Sequence, residues 1–191
     1  MLHVMNDIKK LIMHIFLNSI EDVYLYDGVN IGDGVSEWNI CARLAMYFEK
    51  RMHAYDYLYR TEFFKDYYAD VEYNRSINGS PKEVDGQKVR CDMLVQTREE
   101  TKYNYLVLEL KKPDNQQKRV DDIREIKRMV MPRQQGTTDY YNCGTHMGIF
   151  MDYNKEKYWG IVYWYDESTK NIIEKEFERG IVEEIIESVF V

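Results

Sequence analysis

Apolar residues recur along the first segment at spacings of three and four. Val4, Ile8, Leu11, Ile12, Ile15 and Phe16 form a stripe that predicts a helix with one buried face over residues 4–17. The glycines and aspartates of Asp27-Gly28-Val29-Asn30-Ile31-Gly32-Asp33-Gly34 predict a loop. Ser36 reads as the N-cap of a second helix running to about His53, with Glu37 in its first turn. Residues 55–68 continue as helix or loop and lead into Ala69-Asp70-Val71-Glu72-Tyr73-Asn74-Arg75, which alternates like a strand. Asn78-Gly79 and Asp85-Gly86 mark turns.

The next two runs, residues 88–97 and 103–111, are separated by a short charged loop and predict an antiparallel hairpin at the centre of the domain. Pro113 ends the second run because it has no backbone donor for a ladder, and Asp114-Asn115 follows as a turn or cap. Val120, Ile123, Ile126, Lys127 and Val130 then keep a helical period until Pro132. Gly136-Thr137-Thr138 opens another loop or short helix. Residues 145–152 and 158–165 read as two strands joined by a polar turn at Asn154-Lys155-Glu156; residues 172–177 add a third, and residues 181–189 form an amphipathic helix. This order predicts an α/β fold in which a central mixed β-sheet is flanked by helices.

At 191 residues, 45% hydrophobic and 31% charged, the chain reads as one domain over residues 1–191, with an N-terminal helix and loop (1–34) and a C-terminal extension (166–191). The 17 tyrosines fall mostly in strand-like runs, where sheet propensity accounts for them. Cys41, Cys91 and Cys143 are too widely spaced for a disulfide framework or a zinc knuckle. Charges interrupt residues 1–20 as in neither a signal peptide nor a membrane span, so a soluble, cytoplasmic protein with no membrane partner is expected. The net charge of −7 opposes generic nucleic-acid binding. Its distribution is uneven, however: Lys111, Lys112, Lys118, Arg119, Arg124, Lys127, Arg128 and Arg133 cluster in one segment.

Candidate chemistry sits on the hairpin. Residues two apart on a strand share a face, so Glu109 and Lys111 project together while Leu108 and Leu110 point the other way. Asp92 is expected on the partner strand, within reach of Glu109. Two carboxylates suit a hard cation such as Mg²⁺ or Mn²⁺, and the Lys111 ammonium beside them would orient and activate water and offset phosphate charge. Charged strand ends are common, but these charges abut the apolar runs 105–108 and 93–95, where carboxylates are costly unless something pairs them. His3, His14, His53 and His146 are scattered with no zinc-helix spacing, and no phosphate-cradling G-x-x-x-x-G-K-[ST] occurs.

The stretch Glu37-Trp38-Asn39-Ile40-Cys41-Ala42-Arg43-Leu44-Ala45-Met46-Tyr47-Phe48 resembles the first core helix of uncharacterised bacterial proteins of the PD-(D/E)XK nuclease superfamily. Val71 to Arg75, Val89-Arg90-Cys91-Asp92-Met93-Leu94-Val95 and Asn104-Tyr105-Leu106-Val107-Leu108-Glu109-Leu110-Lys111-Lys112 resemble, in order, that family's first strand, Asp strand and Glu-x-Lys strand. The likeness covers residues 37–152. It implies a restriction-endonuclease-like core, metal ligation by Asp92, Glu109 and the backbone carbonyl of Leu110, catalytic assistance from Lys111, and a further acidic contribution from Glu37. Glu37 has a second reading, as a residue that favours the positive end of its helix. Cys91 stands where the family name has proline, which shapes the strand and carries no chemistry. Glu72 and Arg75 belong to the site or pair across the sheet; Tyr140 and Tyr141 line the cleft or pack.

Three functions compete at this point. The first is a Mg²⁺- or Mn²⁺-dependent nuclease hydrolysing phosphodiester bonds in DNA. The second is a catalytically silent module of the same fold that binds nucleic acid or a partner protein. The third is a structural dimer that uses the apolar stripe of the last helix; a homodimer or a separate partner subunit is compatible with the first two as well.

Overall fold

Burial of one face carries the first helix further than its local pattern indicates. In the computed structural model, which describes residues 2–32, 35–72, 83–84, 87–88, 90–97, 104–112, 116–132 and 145–190, α1 spans Leu2–Gly32. The loop expected at residues 27–34 is therefore helical up to Gly32. The reason is tertiary: Asp27 accepts hydrogen bonds from Arg43 Nε and the Tyr47 hydroxyl, both at 2.9 Å, and Ile31 is buried. Packing against the next helix outweighs the weak helix propensity of Gly28 and Asn30.

That next helix, α2 (Glu37–Tyr59), starts as its sequence indicates. Ser36 Oγ accepts from the Asn39 N–H at 3.3 Å. The helix buries Ile40, Cys41, Leu44, Ala45, Phe48 and Met52, runs past His53 to Tyr59, and is closed by Arg60 at φ 53°. The Asp56 carboxylate accepts from the N–H groups of Phe63 and Phe64 at 2.9 and 2.8 Å, turning the chain into β1 (Tyr67–Val71). Glu72, at φ 52°, ends the strand short of the alternating run expected for it. Tyr73 to Arg75 and the Asn78-Gly79 and Asp85-Gly86 turns lie outside the described residues. The short strands β2 (Glu83–Val84) and β3 (Gln87–Lys88) pair antiparallel on either side of residues 85–86.

The main sheet has six strands in the order β1-β4-β5-β6-β7-β8. β4 (Met93–Thr97) pairs antiparallel with β1 and with β5 (Asn104–Lys111), as the expected hairpin. β6 (Met147–Tyr153) runs parallel to β5, and β7 (Tyr158–Asp166) and β8 (Asn171–Glu178) continue antiparallel. Asn154 Oδ1 accepts from the N–H groups of Glu156 and Lys157 and fixes the polar turn between β6 and β7. The chain is thus α/β, with a mixed sheet flanked by helices.

α1, α2 and α4 (Val182–Phe190) cover one face of this sheet. Ile185 and Val189, the stripe invoked for a dimer interface, are buried inside the chain against that core. The other face is covered by α3 (Gln116–Val130), whose Ile126, Met129 and Val130 pack on Leu94, Val107, Phe150 and Tyr163. α3 lies so close to β6 that a Cβ at Gly148 would run into Ile126. Among the described residues no helix is long and apolar enough to cross a membrane.

Candidate active site

The site forms where β5 outruns β4. Met93 opens β4 opposite Leu108, so Glu109, Leu110 and Lys111 extend past their partner strand. Asp92 occupies the residue before β4, at a bend, and not a strand position as expected. The register nevertheless carries it opposite Glu109. The side-chain alternation is the expected one: Leu106, Leu108 and Leu110 enter the core beneath α1 and α2, and Val107 packs under α3, the face shared by Glu109 and Lys111.

Asp92 is fixed from several sides. Its Oδ2 accepts the Leu110 N–H at 2.7 Å, while its backbone carbonyl accepts from the Glu72 N–H at 2.9 Å and from Cys41 Sγ at 3.0 Å. A residue in an extended strand directs its N–H and C=O to the same side. The Leu110 carbonyl therefore faces the same gap as Asp92, which keeps it in the set of possible ligand atoms.

The carboxyl of Glu109 lies beside that of Asp92, and each bears on the titration of the other. Glu109 is only 3% exposed, and burial, reinforced by the charges of Asp92, Asp122 and Glu125, holds its pKa well above the carboxylate range. Asp92 is also raised, by burial above all, although the Leu110 N–H, Lys111 and Glu109 pull it back. Lys111 forms an ion pair with Asp122 at 3.2 Å; burial lowers its pKa, but Asp122, Asp92 and Glu109 together hold it above the usual value.

Two of these acids, Asp122 and Glu125, were not among the residues singled out from the sequence. They lie three apart on α3, on the side that continues into Ile126 and Met129 towards the sheet. Their visible signal is acidic residues set at the spacing of a buried stripe. Among the described residues Glu125 Oε1 is buried with no hydrogen-bond partner, and burial with the charges of Asp122 and Asp92 pushes this carboxyl up to about 7.

Glu37 borders the cluster. Its Oε1 accepts the Lys112 N–H at 3.0 Å, and Lys112 Nζ donates to the Val35 carbonyl at 2.6 Å, so the start of α2 is tied to the end of β5. Its charge is also one of those that raise Asp92. The structure thus brings Glu37, Asp92, Glu109, Leu110 and Lys111 together. Glu72 pairs with Arg90 at 3.1 Å, the cross-strand alternative. Arg75, Tyr140, Tyr141 and Cys143 lie outside the described residues. Several basic residues of the expected patch are engaged at home: Arg119 with Asp152 at 2.9 Å, Arg124 with Asp121 at 2.9 Å and Lys127 with Glu174 at 2.7 Å.

Among the described residues no three Asp, Glu, His or Cys side chains stand close enough to hold a metal ion as they are. Mg²⁺ asks for less, since one or two carboxylates suffice when water and substrate phosphate complete its shell. Asp92 and Glu109 fit that demand. The charge of Asp92 is among those that raise Glu109, and a cation held by these two carboxylates would offset that repulsion. Comparison with protein-family models, with curated proteins and with solved structures finds no match to this chain.

Proposed function

We propose that this protein is a divalent-metal-dependent nuclease hydrolysing phosphodiester bonds in DNA, with Asp92 and Glu109 as ligands of Mg²⁺ or Mn²⁺. The observation that carries the reading is the pairing of half-buried Asp92 with buried Glu109 beside Lys111, at the open end of β5. Support comes also from topology. The elements α2, β1, β4 and β5 come in the order of the segments that carry the resemblance, namely first core helix, first strand, Asp strand and Glu-x-Lys strand.

A bound metal would polarise a phosphoryl oxygen and ease deprotonation of a water. The chain's own groups do the rest. The Leu110 N–H fixes the Asp92 carboxylate, and the Glu37–Lys112 bond fixes the end of the strand that bears Glu109 and Lys111. Lys111, held by Asp122, carries the positive charge that faces a bound phosphate and orients the attacking water. Incubation of plasmid and oligonucleotide DNA with Mg²⁺ or Mn²⁺ tests the proposal: cleavage is expected for the wild type and lost for Asp92→Ala and Lys111→Ala. Cleavage that survives both substitutions overturns it.

One observation favours the second reading, a silent module of the same fold. Lys111 spends its charge on Asp122 at 3.2 Å, within the protein. That reading expects no turnover with any nucleic acid and no rise in thermal stability on adding Mn²⁺.

A further inference from the structure

Beside the carboxylates the α3 face of the sheet opens into a groove. The register sets Lys111, Asp152 and Trp159 in one row across β5, β6 and β7, with side chains on the same face. Strands lie about 4.8 Å apart, so Trp159 stands about 10 Å from the β5 position of Lys111. The groove measures about 330 Å³ and is lined by Arg119, Asp152, Tyr153, Asn154, Lys157 and Trp159. That is the low end of the range of about 300–1,000 Å³ for small-molecule sites, enough for one nucleotide and too little for a duplex.

Its chemistry has two parts. The Arg119 guanidinium lies over the rings of Phe150 and Trp159, at 5.1 and 4.9 Å, while pairing with Asp152 at 2.9 Å. Bases stack on aromatic faces and on guanidinium planes alike. Lys157 is exposed at the rim and makes no ion pair among the described residues, so with Arg119 and Asp152 the groove is locally cationic on a chain of net charge −7. Charged donors of this kind bind phosphate oxygens well.

The second part is an unanswered hydroxyl. Tyr153 lines the groove at the end of β6, is only 3% exposed, packs with the core on the α1 and α2 side, and among the described residues its hydroxyl has no hydrogen-bond partner.

We propose that this groove binds one nucleotide of a single nucleic-acid strand, flanking the phosphodiester held at Asp92 and Glu109. The base or sugar rests against Arg119 and Trp159, and its phosphate takes Lys157 and the free donors of Arg119. The identity of the substrate rests on the nuclease reading; the groove's affinity for a nucleotide does not.

The experiment measures fluorescence anisotropy of a labelled single-stranded oligothymidylate with the full chain in EDTA, which keeps the metal centre out of the measurement. The wild type is expected to bind. Trp159→Ala is expected to weaken binding by about five- to 150-fold, the range for one lost base stack, with Trp159→Phe restoring part of it. Lys157→Ala, on an exposed side chain that leaves the fold intact, is expected to weaken binding and flatten its salt dependence. Binding lost in these variants with no cleavage by the wild type in Mn²⁺ supports the groove and sinks the nuclease reading. Metal-dependent cleavage with wild-type affinity and KM in Lys157→Ala and Trp159→Phe overturns the groove and leaves the nuclease reading standing. No oligonucleotide binding by the wild type also overturns it, leaving Arg119 and Asp152 as a structural clasp only.

Discussion

The Leu110 N–H donates to Asp92 Oδ2 at 2.7 Å, so a side chain takes the place of a ladder partner one residue before β4 begins. Asp92 is thus both a strand cap and a candidate ligand, and the two roles separate by substitution. Asp92→Asn retains an acceptor for Leu110 and should unfold close to the wild type. Asp92→Ala leaves the N–H without that acceptor and should cost about 1–3 kcal/mol. Both should abolish metal-dependent cleavage. Denaturant unfolding beside a cleavage assay checks the pair, and an Asp92→Asn protein that cleaves at the wild-type rate would remove Asp92 from the metal site.

Lys111 and Asp122 form the second separable pair. Removing the aspartate leaves the ammonium buried but still beside Asp92 and Glu109, so Asp122→Asn should destabilise by about 1–3 kcal/mol, short of the loss from an isolated buried pair. Of the charges that raise the Lys111 pKa, Asp122 is the largest, so its loss should lower that pKa. The high-pH limb of the rate profile should then move to lower pH. A pH–rate profile superimposable on that of the wild type would show that Asp122 does not govern Lys111.

How much of this was legible in the sequence depends on the range of the determining interaction. The period of two put Glu109 and Lys111 on one face and the leucines on the other, and alternation alone was enough. Ser36 as an N-cap was equally local. The pattern of residues 88–97 places Asp92 near Glu109 but on a strand, because nothing in it reveals that the ladder starts only at Met93. Asp122 and Glu125 carry no local signal of a site, because an acidic pair on a basic, exposed-looking helix reads as solvated surface. Only the crossover of α3 onto β5 and β6 turns it inward. The loop expected after Tyr26 failed for the same kind of reason: its glycines and asparagine argue locally against a helix that α2 enforces from outside.

Asp27 is the residue through which that enforcement acts. Its carboxylate is bonded to Arg43 and Tyr47, and Tyr47 in turn packs near Tyr26, with ring centroids 6.1 Å apart. Asp27→Ala should therefore fray α1 beyond residue 26 and cost about 1–3 kcal/mol, as for a broken buried polar contact. Amide hydrogen exchange should show faster exchange over residues 27–32 and little change over residues 12–20. Unchanged protection at the helix end would mean that Ile31 alone holds it down.

The carboxyl cluster makes a prediction of sign as well as of site. A carboxyl whose pKa is higher folded than unfolded binds more protons in the native state between the two values, so stability falls as pH rises through that window. For Glu125 the window runs from the ordinary value of 4.5 up to about 7, and Glu109, raised by burial and its acidic neighbours, contributes in the same direction. The metal-free protein should thus melt at a lower temperature near pH 8 than near pH 5. Glu125→Gln, which cannot ionise, should flatten that dependence. A divalent cation needs the carboxylates without their protons, so stabilisation by Mn²⁺ should be small near pH 5 and grow towards pH 8. Thermal unfolding of wild type and Glu125→Gln across this range, in EDTA and in Mn²⁺, reads both effects at once. A melting temperature in EDTA that does not fall with pH would contradict the burial of these acids. A Mn²⁺ effect equal at both ends of the range would mean that the ion binds somewhere other than Asp92 and Glu109.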